Sequence, residues 1–189
     1  MKIFETKIKG CFQIFPEIIN DQRGCFVKTF QKNIYEKNKI ALNFEEEYYT
    51  TSKQNVLRGL HFQIPPKDYK KIVYSIHGVV FDAILDLRVG SNTYGKYEIF
   101  ELDSKKSNIL YLPSGIAHGF YVLSNEAVLC YKVTVGYSFE HDTGILWNSA
   151  DIPWPCTSPI ISQRDSKFDT LEQFKSPFSY IEEGYFEKK

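Results

Sequence analysis

Much is missing from this chain of 189 residues. No stretch approaches the roughly 18 uninterrupted apolar residues of a membrane span, so no membrane partner is expected. Neither sign of charge is in excess, with 23 Lys and Arg against 23 Asp and Glu. Neutralising phosphates needs a basic surplus or stripe, so nucleic acid is not an expected partner either. The four cysteines (Cys11, Cys25, Cys130, Cys156) form no CxxC pair and no short secreted framework, which predicts reduced thiols in the cytoplasm. The first twenty residues scatter charges among their apolar positions, so a signal peptide is not expected. Repeats, low-complexity tracts and linkers are lacking too. The expectation is one domain over residues 1–189, with a charged tail fraying from about residue 180 to 189.

What the chain has is aromatic and β-branched residues, with 15 Phe and 13 Tyr. Short apolar or alternating runs recur at Ile72–Ile76, Val79–Leu87, Tyr97–Leu102, Ile109–Leu112, Gly119–Leu123 and Val128–Phe139. Turn residues separate them, including His77-Gly78, Asp103-Ser104 and Pro113-Ser114-Gly115. This spacing predicts an antiparallel all-β sandwich or barrel with room for one small ligand. Helix is expected in two places only. One is Gln31–Ile40, and the other starts near Asp169, where Glu172 stands as a capping-box partner.

Polar residues aimed into such a barrel would carry the chemistry. In Val56–Gln63 strict alternation puts Arg58 on one face and His61 and Gln63 on the other, so Arg58 and His61 share a face only with a twist or bulge. Pro113 to His118 has the PxGxxH spacing of half a cupin metal site, but the position two after His61 is Gln63, a poor ligand for a divalent ion. No bound catalytic metal is therefore expected. His61 alone reads as a structural histidine as readily as a base. A carboxylate orienting it would change that, and Asp165, Asp82 and Asp86 are the candidates. Lys71 reads equally as a solvated edge residue and Tyr131 as a core aromatic.

Taken together, the motifs resemble the dTDP-4-dehydrorhamnose 3,5-epimerase family from about Gly10 to Phe178. They are Asp21-Gln22-Arg23-Gly24, VLRGLHFQ (56–63), VFDAILDLRVGSNTYGK (80–96), LPSGIAHGFYVLS (112–124), Tyr131-Lys132, Tyr137, GILWN (144–148), DIPWP (151–155) and SQRD ending at Asp165. The resemblance implies a metal-free cupin-type jelly-roll barrel with a few short peripheral helices, needing no organic cofactor and pairing as a homodimer. It implies a nucleotide-diphospho-4-keto-6-deoxysugar as substrate, inverted at carbons 3 and 5 through an enolate. It assigns His61 as base, Asp165 as its orienting carboxylate, Tyr131 as the acid on the opposite face and Lys71 as the cation beside the ketone oxygen. Arg58 and His118 match groups lining the sugar pocket, and Arg23 and Arg164 match groups holding the diphosphate. Lys28, Tyr137, Asp142 and Gln63 complete the substrate-contacting set.

The residue types suit the chemistry. A ketone at carbon 4 acidifies the hydrogens on carbons 3 and 5, and histidine is the side chain that exchanges protons near neutrality. A cation beside the developing oxyanion stabilises it most where water is excluded. The chain departs from the family pattern at Lys28, where a glutamate is usual, and at Glu46-Glu47-Tyr48, where Gln-Asp-Asn is usual. Asp142 replaces a glutamate, a milder change. A charge reversal at Lys28 leaves the carrier open among dTDP, CDP, GDP and UDP. It also keeps single-position epimerisation in view. A 4-to-3 ketoisomerase, a metal-dependent cupin oxygenase and a non-catalytic sugar-nucleotide binding barrel are the remaining alternatives.

Overall fold

The computed structural model describes residues 1–40 and 42–181. Its architecture follows from the alternating runs, which pair almost entirely antiparallel. A six-stranded sheet contains β1 (Lys2–Glu5), β2 (Phe12–Phe15), β5 (Glu46–Lys53), β7 (Lys71–His77), β10 (Ile109–Leu112) and β12 (Glu126–Val133), in the order β1-β2-β10-β7-β12-β5. A five-stranded sheet contains β6 (Leu57–Gln63), β8 (Val79–Asp86), β9 (Tyr97–Asp103), β11 (Ile116–Val122) and β13 (Asp142–Gly144), in the order β13-β6-β11-β8-β9. β3 (Ile18–Asp21) and β4 (Gly24–Val27) form a separate hairpin. Among the described residues, two antiparallel sheets and one short helix make the expected all-β fold.

Three apolar layers hold the sheets. Between them lie Val73, Leu110 and Leu129 of one sheet against Val80, Ile84 and Phe120 of the other. The outer face of the five-stranded sheet, with Leu57, Leu60 and Phe62, is covered by the C-terminal segment through Ile145, Ile152, Trp154 and Phe178. The outer face of the six-stranded sheet, with Ile72, Tyr74 and Tyr111, is covered by Tyr35, Ile40 and Leu42 around α1 (Lys32–Lys37). Both sheets thus bury both faces, which is why β8 and β11 read as near-continuous apolar runs.

The second expected helix is absent. Residues 170–173 form a turn in which Gln173 Oε1 accepts from Thr170 N at 3.2 Å and Thr170 Oγ1 at 3.0 Å. Asp169 is extended and bridges Ile145, with Leu146 N donating to its carbonyl at 2.8 Å. Covering the sheet with Leu171, Phe174 and Phe178 outweighs a local capping signal. A three-residue 3₁₀ turn, Asp165–Lys167, precedes it. The expected tail begins inside ordered backbone, because Tyr180 N donates to Val89 O at 2.8 Å. Residues 182–189 of that tail lie outside the described residues. All four cysteines are free thiols, and no described helix is long and apolar enough to cross a membrane.

The bulge needed to bring Arg58 and His61 onto one face is present. His118 pairs with His61 but Phe120 pairs with Arg58, so β6 carries one extra residue against β11. It falls at Gly59, whose φ of +137° is a region L side chains avoid. A Cβ there would lie 2.5 Å from Gly119 Cα on the neighbouring strand. Gly59→Ala therefore forces either a backbone shift or strain, with an expected loss on the order of 3 kcal/mol or more. For a chain of this size that is a fall of about 6–12 °C in melting temperature. A variant melting within a degree or two of the parent would show that the bulge is not required.

Candidate active site

The bulge turns Arg58, His61 and Gln63 inward together while Leu57, Leu60 and Phe62 face the outer layer. They line a cavity of about 780 Å³ between the two sheets, within the range of a small-molecule site. Of the residues singled out in the sequence, Arg58, His61, Gln63, Lys71, His118, Tyr131, Tyr137, Asp142, Arg164 and Asp165 all reach it.

His61 and Asp165 are 104 positions apart in sequence and meet at 2.9 Å, His61 Nε2 to Asp165 Oδ2. The C-terminal segment that covers the outer layer turns at Ser162–Asp165 and delivers the carboxylate to the bulge. Gly59 N donates to the same oxygen at 3.1 Å, and Ser162 Oγ donates to Oδ1 at 2.8 Å. Burial opposes ionisation of Asp165, but the His61 contact and these donors overcome it and hold its pKa at about 2. A permanent carboxylate fixes the Nε2–H tautomer of His61 and leaves the lone pair on Nδ1. The His61 side chain keeps 28% of its surface open, so this dyad faces the cavity rather than the core.

A second dyad lies beside it. His118 Nε2 and Asp82 Oδ2 are 2.7 Å apart, and both residues are buried. Burial drives the Asp82 pKa up and the His118 pKa down, and each is only partly compensated by the other, so both groups are pushed away from charge. Asp82 thus serves His118 rather than His61, while Asp86 serves Arg88 at 2.8 Å, away from the cavity.

Lys71 is not a solvated edge residue. It is 3% exposed, its Nζ donates to His61 O at 3.3 Å and it sits 5.2 Å from the Tyr69 ring. Burial lowers its pKa to about 8, against the pull of Asp82 and Asp142. Tyr131 enters from the opposite sheet, buried, with its phenol pKa raised far above 10 by burial first and then by Tyr48 and Asp82. Arg58 spans from β6 to β5, Nε donating to Ser52 Oγ at 2.9 Å.

Other expected residues are placed differently. Gln63 lines the cavity, but its amide is committed to backbone, donating to Lys67 O at 2.7 Å and accepting from Ser138 N at 2.7 Å. It latches two loops together, which also removes it as a metal ligand. Among the described residues no three His, Cys, Asp or Glu side chains converge on one point. Asp142 pairs with Arg164 at the mouth. Glu46 accepts from Tyr137 N at 2.8 Å, which fastens the loop carrying Tyr137. Arg23 and Lys28 do not reach the cavity. Arg23 is exposed on the β3–β4 hairpin and paired with Asp21, and Lys28 lines a separate hollow of about 210 Å³ with Met1, Glu17 and Phe26.

Residue-by-residue reading missed Tyr69 and Ser162. Tyr69 stands two positions before Lys71 and shares its face, a signal that period-two spacing offers. Ser162 stands three positions before Asp165, the Ser-x-x-Asp spacing in which hydroxyl and carboxylate cap a turn together, and Asp165 N donates back to Ser162 Oγ at 3.0 Å.

A family model for dTDP-4-dehydrorhamnose 3,5-epimerase matches residues 5–173. The dTDP-4-dehydrorhamnose 3,5-epimerase of Methanothermobacter thermautotrophicus is 37% identical over 177 residues, 91% of this chain and 95% of that protein. A protein of Streptomyces niveus named dTDP-4-dehydrorhamnose 3-epimerase is 36% identical over 87% of this chain and 81% of its own length. Among solved structures, the dTDP-6-deoxy-D-glucose-3,5-epimerase of Legionella pneumophila in complex with dTDP-4-keto-L-rhamnose superposes with a TM-score of 0.91. It is 33% identical, and the match covers 96% of this chain and 99% of that one. The chain belongs to the dTDP-4-dehydrorhamnose 3,5-epimerase family.

Proposed function

We propose that the chain is an epimerase that inverts carbons 3 and 5 of a nucleotide-diphospho-4-keto-6-deoxysugar, with dTDP-4-dehydro-6-deoxyglucose as substrate and dTDP-4-dehydrorhamnose as product. One observation carries this reading. A base oriented by a buried carboxylate and a phenol acid project into one cavity from opposite sheets, with a buried ammonium lining it too. Inversion needs that opposition, because the proton leaves one side of the sugar ring and returns on the other.

His61 Nδ1 takes the proton from carbon 3, and the electron pair of that C–H bond moves to the ketone oxygen. Lys71, buried from solvent, stabilises the oxyanion. Tyr131 then gives its hydroxyl proton to the carbon from the far side, the enolate pair forming the new C–H bond. Solvent reprotonates the tyrosinate and accepts the proton from His61, so the sum is an isomerisation. The same sequence at carbon 5 completes the product.

The test is proton NMR in deuterated water with dTDP-4-keto-6-deoxyglucose. Wash-out at carbons 3 and 5 is expected. Loss of signal at one carbon alone would make this a single-position enzyme, the reading favoured by the Streptomyces niveus relative's name. No exchange with the dTDP, CDP, GDP or UDP sugars would overturn the epimerase reading.

The role of Lys71 sets a pH limit. Turnover should fall as pH rises through about 8, where the ammonium loses its proton. Stability runs the other way. The unfolded lysine stays protonated up to about 10.5, so between about 8 and 10.5 this group's contribution to stability rises with pH. A kcat that stays flat from pH 7 to pH 9.5 would remove Lys71 from the mechanism.

A homodimer gives Arg23 and Lys28 a place. The β3–β4 hairpin exposes Ile19 and Phe26 at 53% and 56%, surface that a second copy would cover. Across such an interface the two cations would reach the partner's cavity mouth and its diphosphate. Sedimentation at twice the chain mass is expected, and a monomer with full activity would exclude that role.

A further inference from the structure

We propose that Tyr48 is a positioning residue for Tyr131, its ring holding the phenol where it can deliver a proton to the sugar carbon. The proposal rests on the epimerase reading and adds to it a residue on the outermost strand of the site. β5 is the edge of the six-stranded sheet, and Tyr48 stands directly opposite Tyr131 in its ladder with β12. The two rings lie 4.8 Å apart and only 14° from parallel. On another side Tyr131 meets the edge of the His118 ring at 6.2 Å and 71°. The acid is therefore held between a stacked ring and an edge-on ring. His118 is fixed by Asp82 and buried, whereas Tyr48 is 39% exposed at the mouth of the cavity.

The distribution of burial separates this arrangement from ordinary core packing. Tyr131 is 6% exposed, and it is shielded on the solvent side by a residue that is itself half open. Without the Tyr48 ring, the face of Tyr131 opens to water and its side chain loses the wall that fixes its torsion. A proton donor displaced by about 1 Å from the reacting carbon loses on the order of a hundredfold in rate, and a partial loss of order costs part of that. The base stands on the opposite sheet and is held by Asp165, so proton removal is expected to survive.

The experiment separates exchange from inversion in the full-length protein, using dTDP-4-keto-6-deoxyglucose in deuterated water. Deuterium entering recovered substrate reports removal and return on the His61 side. Deuterium in the epimer reports delivery by Tyr131. Tyr48→Leu should lower inversion about tenfold or more while exchange into recovered substrate continues, so that the ratio of exchange to inversion rises by the same factor. Tyr48→Phe keeps the stack and should restore the parental ratio. Tyr48→Asn is a second variant without a ring, at an edge position that accepts polar residues. Parental inversion in both Leu and Asn variants would overturn the proposal, as would a parallel fall of exchange and inversion or a change confined to KM. A Phe variant that behaves like Leu would assign the effect to the hydroxyl and sink the stacking argument. A parent protein that exchanges no proton with any carrier would instead overturn the epimerase reading itself.

Discussion

His61→Ala should lower turnover by about 10²–10⁴-fold, the contribution typical of a positioned general base, while the protein folds normally. The fold is expected to hold because Asp165 does not depend on His61 alone. Gly59 N and Ser162 Oγ remain within 3.1 Å and 2.8 Å of its two oxygens, so the buried carboxylate keeps donors when the imidazole is gone. The affected quantity is wash-out at both carbons, since the same base serves each step. Asp165→Asn should lower turnover too, through the tautomer, because an amide can present its NH₂ to Nε2 and move the ring proton to Nδ1. NMR wash-out and thermal melting, run on both variants, check the pair of effects. A His61→Ala protein that keeps activity within tenfold of the parent would mean another group is the base, and His118 is too deeply buried to take over readily.

Tyr131→Phe should abolish inversion to a similar extent, about 10²–10⁴-fold, and leave deuterium exchange into recovered substrate running. The substitution removes one oxygen and keeps the ring, so the stack on Tyr48 and the edge contact with His118 persist. A phenol whose proton is held this tightly stays protonated throughout the working range. It yields its proton only to a strong base, and an enolate carbon is one. The two variants therefore differ in kind: without His61 nothing leaves the substrate, and without the Tyr131 hydroxyl the proton leaves but returns on the same side. Epimer formation by Tyr131→Phe at the parental rate would require the second proton to come from solvent or another side chain.

How much of this was legible depended on distance along the chain. β8 and β11 were readable because their apolar runs are nearly continuous and bounded by turns, as burial on both faces produces, and β12 because its burial alternates. The bulge in β6 was readable as a contradiction, since Arg58 and His61 could not both face inward in a regular strand. β5 was not recognised as a strand, because Glu46-Glu47-Tyr48-Tyr49-Thr50-Thr51 puts polar atoms on both faces of an edge. The helix expected at Asp169 failed because a capping signal is worth less than the outer layer its backbone covers. The meeting of His61 with Asp165 left no local trace, and only the family resemblance chose Asp165 over Asp82 and Asp86. The same resemblance supplied Arg23 and Lys28, which lie away from the cavity in this chain.

The path of the C-terminal segment makes completeness of folding and competence for chemistry one condition. Residues 145–178 close the outer layer on Leu57, Leu60 and Phe62, and in the same pass they bring Asp165 behind His61. A chain that has formed both sheets but not yet docked this strap owns a cavity, an ammonium and a phenol, but an unoriented imidazole. Clipping the strap would silence the enzyme before it unravelled the barrel. Turnover is thus a readout of whether residues 145–178 have docked.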